Sequence, residues 1–122
     1  MVAKSYKAKE PRIKLFKDPG KGKSYALNLI FKKLRGDVFI LTDGDVYMSD
    51  GSINAIMDHF KDSNVGCVTG RPVPQEYRSD QYGYWANFLF DAAHDLRKSL
   101  HDAENFLECS GYLWAFRNKI ET

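Results

Sequence analysis

Two aspartates one residue apart, Asp43 and Asp45, follow an apolar run from Val38 to Thr42, with only Gly44 between them. Carboxylates at that spacing on a turn can face one hard cation, and a divalent metal held there bridges phosphate oxygens of a nucleotide. Gly44 lets the backbone turn tightly between them. In open α/β sheets ligands bind outside the carboxyl ends of strands, so the position of the pair matters more than its composition. The plainer reading is an acidic turn that ends a strand and caps the helix beginning near Ser52.

Upstream, Pro19-Gly20-Lys21-Gly22-Lys23-Ser24 invites comparison with a phosphate-binding loop. Such a loop needs a glycine five residues before its Gly-Lys-Ser, and that position is Lys17, so the match fails. What remains is a helix N-terminus carrying Lys21 and Lys23, which can hold an anion through free N–H groups and the helix dipole. The alternative is an ordinary glycine-rich turn with solvated lysines. Arg71, beside Pro72, is a further candidate for donor or acceptor contact, against the common role of a surface ion-pair partner.

The elements around these residues follow from their apolar periodicity. Arg12 to Lys17 alternates charged and apolar residues, which predicts a strand with Ile13 and Leu15 on one face. From Gly22, the spacing of Ala26, Leu27, Ile30, Phe31 and Leu34 predicts an amphipathic helix that Gly36 stops. Val38 to Thr42 reads as a strand buried on both faces of a parallel sheet. Ile53, Ile56, Met57 and Phe60 mark a second helix, with Asp50 or Ser52 available to cap it, and Val65 to Thr69 a third strand. This alternation predicts parallel crossovers and a doubly wound α/β sheet. Residues 80–100 form a long helical pattern whose stripe of Tyr84, Trp85, Phe88, Leu89, Ala92 and Leu96 is expected to cover the sheet or fill the core. A final strand or turn is expected near Ser110-Gly111.

The 122 residues, 43% hydrophobic and 14% aromatic, suffice for one domain with a core. Residues 1–11 are Lys-rich and aperiodic, which suggests a flexible leader ahead of a domain at 12–122. A net charge of +2 is too small to imply nucleic-acid binding. Cys67 and Cys109 lack metal-ligand or redox spacing and read as two buried thiols in a reducing, cytoplasmic compartment. No apolar run approaches the roughly 18 residues of a membrane span.

In combination these segments resemble inverting family-two glycosyltransferases of the GT-A fold. The resemblance rests on Gly20-Lys21 with Ala26-Leu27-Asn28, the nested Gly22-Lys23, Gly36-Asp37-Val38, and the apolar strand into Asp43-Gly44-Asp45. Val65-Gly66-Cys67-Val68-Thr69-Gly70-Arg71 resembles the next strand of chitin-synthase-like and hyaluronan-synthase-like members. Cys109 to Arg117 resembles their acceptor-side Ser-Gly segment. The likeness implies a partial, Rossmann-like GT-A sheet, mainly parallel and flanked by helices. It implies a nucleotide-sugar donor and a saccharide or lipid-linked acceptor, with Mg²⁺ or Mn²⁺ as cofactor. Asp45 would coordinate the metal and Asp43 assist it. Lys21 or Lys23 would lie near the nucleotide, Ser110 and Gly111 would line the acceptor side, and Arg71 would touch donor or acceptor.

Family members also carry nucleoside-binding strands before this region and a catalytic base, usually in a Glu-Asp pair, after it. Neither is found here, so the resemblance implies that the base falls beyond Thr122 and that none of these residues is the catalytic carboxylate. The expectation is a central fragment nearly inactive by itself, from a parent acting in the cytoplasm or at the cytoplasmic face of a membrane. Unpaired sheet edges would favour homo-oligomers. Two other readings remain open. Val38 to Val46 also resembles the first motif of haloacid-dehalogenase-like phosphatases, with Asp43 as nucleophile and Asp45 as acid and base. A non-catalytic interaction module is the third. The sugar-transfer reading takes both aspartates to emerge from the tip of an interior parallel strand.

Overall fold

The computed structural model describes residues 2–75, 79–104, 109 and 111–118. The chain divides into two compact units, residues 1–36 and 37–122.

In the first unit, helix α1 (Val2–Lys9) occupies the segment expected to be a leader and buries none of its residues. Its Lys-rich sequence has no apolar face to bury. Beyond it, the Arg12 guanidinium bonds Glu10 at 2.8 Å and holds that carboxyl below its ordinary range. No strand forms at residues 12–17, contrary to the alternation there. A strand needs a neighbour to take its N–H and C=O groups, and none of the described strands lies in this unit. Gly20 donates its N–H to Asp18 Oδ1 at 2.8 Å, closing the turn, and Gly20 and Gly22 take positive φ values of 77° and 91°. Helix α2 (Lys23–Phe31) then starts without a side-chain cap.

The second unit holds the sheet. Strand β1 (Val38–Thr42) leads to helix α3 (Ser52–His59), strand β2 (Cys67–Thr69), the long helix α4 (Gln81–Asp102) and strand β3 (Leu113–Arg117). The sheet order is β1-β3-β2, and β3 is antiparallel to both neighbours. The expectation of a mainly parallel sheet with β1 in its interior therefore fails among the described strands. β1 and β2 do run in the same direction, as a strand–helix–strand crossover requires, but β3 lies between them. The crossover thus skips one position, and the last strand fills the gap from the opposite direction.

Pairing places Ile40 and Val68 beside Ala115, and this face packs under α3. Ile56, Phe60 and the fully buried Ala115 form the core, with Val38, Val65 and Leu113 against it. Ala115 is small because Ile56 and Phe60 press on it from one side. On the opposite face Phe39 meets Phe116 at 5.6 Å between ring centres, and Trp114 stacks on Phe116 at 5.2 Å. The continuous apolar run of β1 reflects this two-sided environment, as its sequence suggests.

Neither Asp50 nor Ser52 caps α3 through its side chain. Gly51 takes the cap position in a left-handed conformation, φ 79°, and the Ser52 hydroxyl turns back to donate to Ser49 O at 2.7 Å. α4 starts where its sequence suggests, and the Asp80 carboxylate caps it by accepting from Tyr82 N–H, a role the sequence reading did not assign. Its aromatic stripe does not pack inward. Tyr84, Trp85, Phe88, Leu89 and Leu96 are each more than half exposed, while Gly83 and Asn87 are buried and Ala86 and Phe90 half-buried. Length explains part of this, since a 22-residue helix runs about 33 Å and a five-residue strand about 17 Å.

Cys67 and Cys109, 42 residues apart, bring their sulfurs together and pair as a disulfide, so the expectation of two separate free thiols is corrected. Sequence spacing carries no sign of this pairing, because it depends on the chain returning beside β2. Among the described residues no helix is long and apolar enough to cross a membrane.

Candidate functional site

The ends of β1 and β2 and the start of β3 converge at one end of the sheet. Antiparallel insertion of β3 is the cause: Thr42 pairs with Leu113, and Thr69 with Trp114, so the loop entering β3 arrives where the outer strands stop. The Thr42 hydroxyl donates to Tyr112 O at 3.1 Å, and Asp43 N–H donates to the same carbonyl at 3.4 Å. From the other side Gly70 N–H donates to Leu113 O at 2.8 Å. A side chain at Gly70 would press on Leu113, with a Cβ only 3.2 Å from its nearest atoms, so glycine permits this close approach.

Three segments singled out from sequence thus meet: Asp43-Gly44-Asp45, Gly70-Arg71 and Gly111-Tyr112. They border a cavity of about 700 Å³, closed on one side by the first turns of α4. Asp45 lines it and is exposed, whereas Asp43 is half-buried beside Tyr112 at the strand end. Asp43 O accepts from Val46 N–H at 3.4 Å, which closes the turn between the aspartates. Arg71 also lines the cavity, and its guanidinium donates to Asp91 on α4 at 2.9 Å. It is therefore both an ion-pair partner and a cavity residue. Gly111 is exposed directly before Tyr112. Ser110, expected on the acceptor side, lies outside the described residues. So does Thr122, the residue beyond which the family likeness puts the catalytic base.

Lys21 and Lys23 belong to the first unit, at the N-terminus of α2. The Lys21 ammonium lies over the Tyr25 ring, 5.0 Å from its centre.

The sequence reading missed Tyr82, Phe90 and Asp91, and gave Tyr112 no role of its own within the Ser-Gly segment. Tyr82, Ala86 and Phe90 recur every four residues on the α4 face that lines the cavity. That spacing was visible, but the bulkier stripe beside it masked it. Tyr112 follows the Ser-Gly pair directly, and its ring meets Phe90 at 5.7 Å.

For a cation, the donors on offer are the carboxylates of Asp43 and Asp45. No group of three or more His, Cys, Asp or Glu side chains able to hold a metal occurs among the described residues. Two hard oxygen donors suit Mg²⁺ or Mn²⁺ when a phosphate ligand and water complete the shell.

The family model for glycosyl transferase family 2 matches residues 1–121, nearly the whole chain. The chain belongs to glycosyl transferase family 2. Among curated relatives, hyaluronan synthase of Streptococcus pyogenes is 25% identical over 101 residues, covering 82% of this chain and 24% of the relative. The hyaluronan synthases of serotypes M1 and M18 of the same species match to the same extent. The chain thus spans about a quarter of the length of these relatives. No solved structure gives a significant match. Membership in family 2 sets aside the phosphatase reading of Asp43 and Asp45. Family membership stands without the interior parallel strand, the premise that the observed sheet order removed.

Proposed function

We propose that this chain supplies the metal–diphosphate and acceptor-side part of a glycosyltransferase that moves a sugar from a nucleotide-sugar donor with inversion. The observation that carries the proposal is the position of Asp45, exposed at the lip of a roughly 700 Å³ cavity where the ends of all three strands converge. In this reading Asp45 binds Mg²⁺ or Mn²⁺ on the donor diphosphate and Asp43 assists from the strand end. The metal neutralises charge that builds on the departing diphosphate. The nucleotide-side role of Lys21 or Lys23 and the acceptor-side role of Ser110 are proposed from the family likeness alone, while Arg71 and Gly111 are assigned to the side where a saccharide or lipid-linked acceptor enters. Inversion needs a carboxylate to take the acceptor hydroxyl's proton, and we assign that role to none of these residues.

Isothermal titration of uridine diphosphate, with and without Mn²⁺, tests the proposal. The expected outcome is binding that requires the metal, and Mn²⁺ binding that tightens when the nucleotide is present. Neither partner binding in the other's presence would leave a non-catalytic interaction module as the better account.

Self-association is part of the same proposal. The outward α4 face of Tyr84, Trp85, Phe88 and Leu89 is a large apolar surface of the kind that draws partners. Light scattering at micromolar concentration is expected to give a dimer or larger assembly, and a monomer there argues against it.

A further inference from the structure

Beyond Asp45 the cavity changes character. Part of its lining is aromatic, with Phe90 and Tyr112 in contact at 5.7 Å and Tyr82 four-fifths exposed. Flat apolar rings fit the C–H faces of a pyranose, and hydroxyl-rich ligands then need a few directed donors around the rim. Among the described residues the cationic donor on this lining is Arg71, and Asp91 pairs with it at 2.9 Å. Its guanidinium has five N–H donors in a planar fork. A paired arginine can therefore still donate to a neutral hydroxyl while offering little net attraction to an anion. Asp45 adds negative charge to the same lining, and a donor diphosphate seated there would add more.

We propose that the Arg71–Asp91 pair, beside the Phe90–Tyr112 rings, is the specificity element of the acceptor cavity, favouring an uncharged pyranose over an anionic one. The inference rests on the sugar-transfer reading for calling this cavity the acceptor side, yet its test does not depend on turnover. Asp91 acts through Arg71 and is a positioning residue. Arg71 would touch the sugar.

The experiment compares p-nitrophenyl β-glucoside with p-nitrophenyl β-glucuronide, which differ by the carboxylate at C6. Binding is followed by saturation-transfer NMR with Mn²⁺ omitted and uridine diphosphate absent, and free p-nitrophenol corrects for the shared aglycone. The unaltered chain is expected to favour the glucoside. Asp91→Asn frees the Arg71 charge and should shift the glucoside-to-glucuronide affinity ratio toward the glucuronide by about fivefold, on the scale of a partly exposed ion pair. Tyr112→Ala should weaken both sugars together and leave their ratio unchanged. A purely structural Asp91 would alter both affinities without moving the ratio, and that result overturns the proposal. So does an unchanged ratio when Asp91→Asn retains the circular dichroism of the unaltered chain. Metal-dependent nucleotide binding, measured separately, distinguishes the two failures. If it persists while neither sugar binds, only the specificity assignment falls; if it is absent, the sugar-transfer reading falls.

Discussion

Asp45→Asn is expected to weaken Mn²⁺-dependent binding of uridine diphosphate by at least about tenfold. Loss of a partner that merely orients a metal ligand already costs ~10–100-fold, so loss of a direct ligand should cost no less. Asp45 suits the test because it is exposed on the cavity lining, so exchanging its oxygen for an amide should leave the fold intact. Asp43 is the less clean choice. It is half-buried where its N–H donates to Tyr112 O, and a change there could disturb how β3 enters the sheet. With the metal chelated, the sign should reverse. Asp45 then presents only a negative charge to the diphosphate, and Asp45→Asn should bind the nucleotide no worse than the unaltered chain, or slightly better. Titration calorimetry in Mn²⁺ and in chelator reads both halves, and an equal loss under both conditions would remove Asp45 from the metal site.

The largest stability effect is expected at Arg117, a residue that reads in the sequence only as the tail of the Ser-Gly segment. Its Nε donates to Val65 O at 2.8 Å, and its Nη2 to Phe60 O and Asp62 O, both at 2.7 Å. The guanidinium also lies 5.2 Å from the centre of the Phe60 ring. One side chain at the end of β3 thus collects the carbonyls released where α3 stops, and ties that turn to the start of β2. Such carbonyls need partners when partly buried. Arg117→Ala removes three charge-assisted bonds at once and is expected to cost about 3 kcal/mol, read from the shift in the urea midpoint. Arg117→Lys should recover less than half of that loss, because a single ammonium cannot span acceptors that a planar fork reaches together. Full rescue by lysine would mean that charge alone, and not the fork, matters there.

The same residue shows where local pattern stops being informative. Arg117 is an arginine after an apolar run, and its value depends on a turn more than 50 residues earlier. The sheet order follows the same logic. Val38 to Thr42 and Val65 to Thr69 announce themselves as strands, the second forming only over Cys67–Thr69, and they run in the same direction, because apolar β-rich runs around a helix carry that information locally. That β3 would slip between them was not legible, since its pairing is settled by the competition of complete faces for burial. Ala115 wins the central place because it is the small residue that Ile56 and Phe60 can both cover. At α4 the sequence announced the helix, and the Asp80 cap emerged only from the structure. Which face turns inward was misread, because large aromatics signal burial only when enough surface lies opposite them.

By itself the sequence determined the family, the helices after the leader, and the Asp43-Gly44-Asp45 turn at the end of an apolar strand. These depend on residue types and short spacings, which chain order preserves. Only the tertiary structure decided that the three segments share one end of the sheet, that Asp91 pairs with Arg71, that Cys67 meets Cys109, and that Phe90 and Tyr112 wall a cavity beside Asp45. Each joins residues at least 20 positions apart, and chain packing rather than local conformational preference sets such distances.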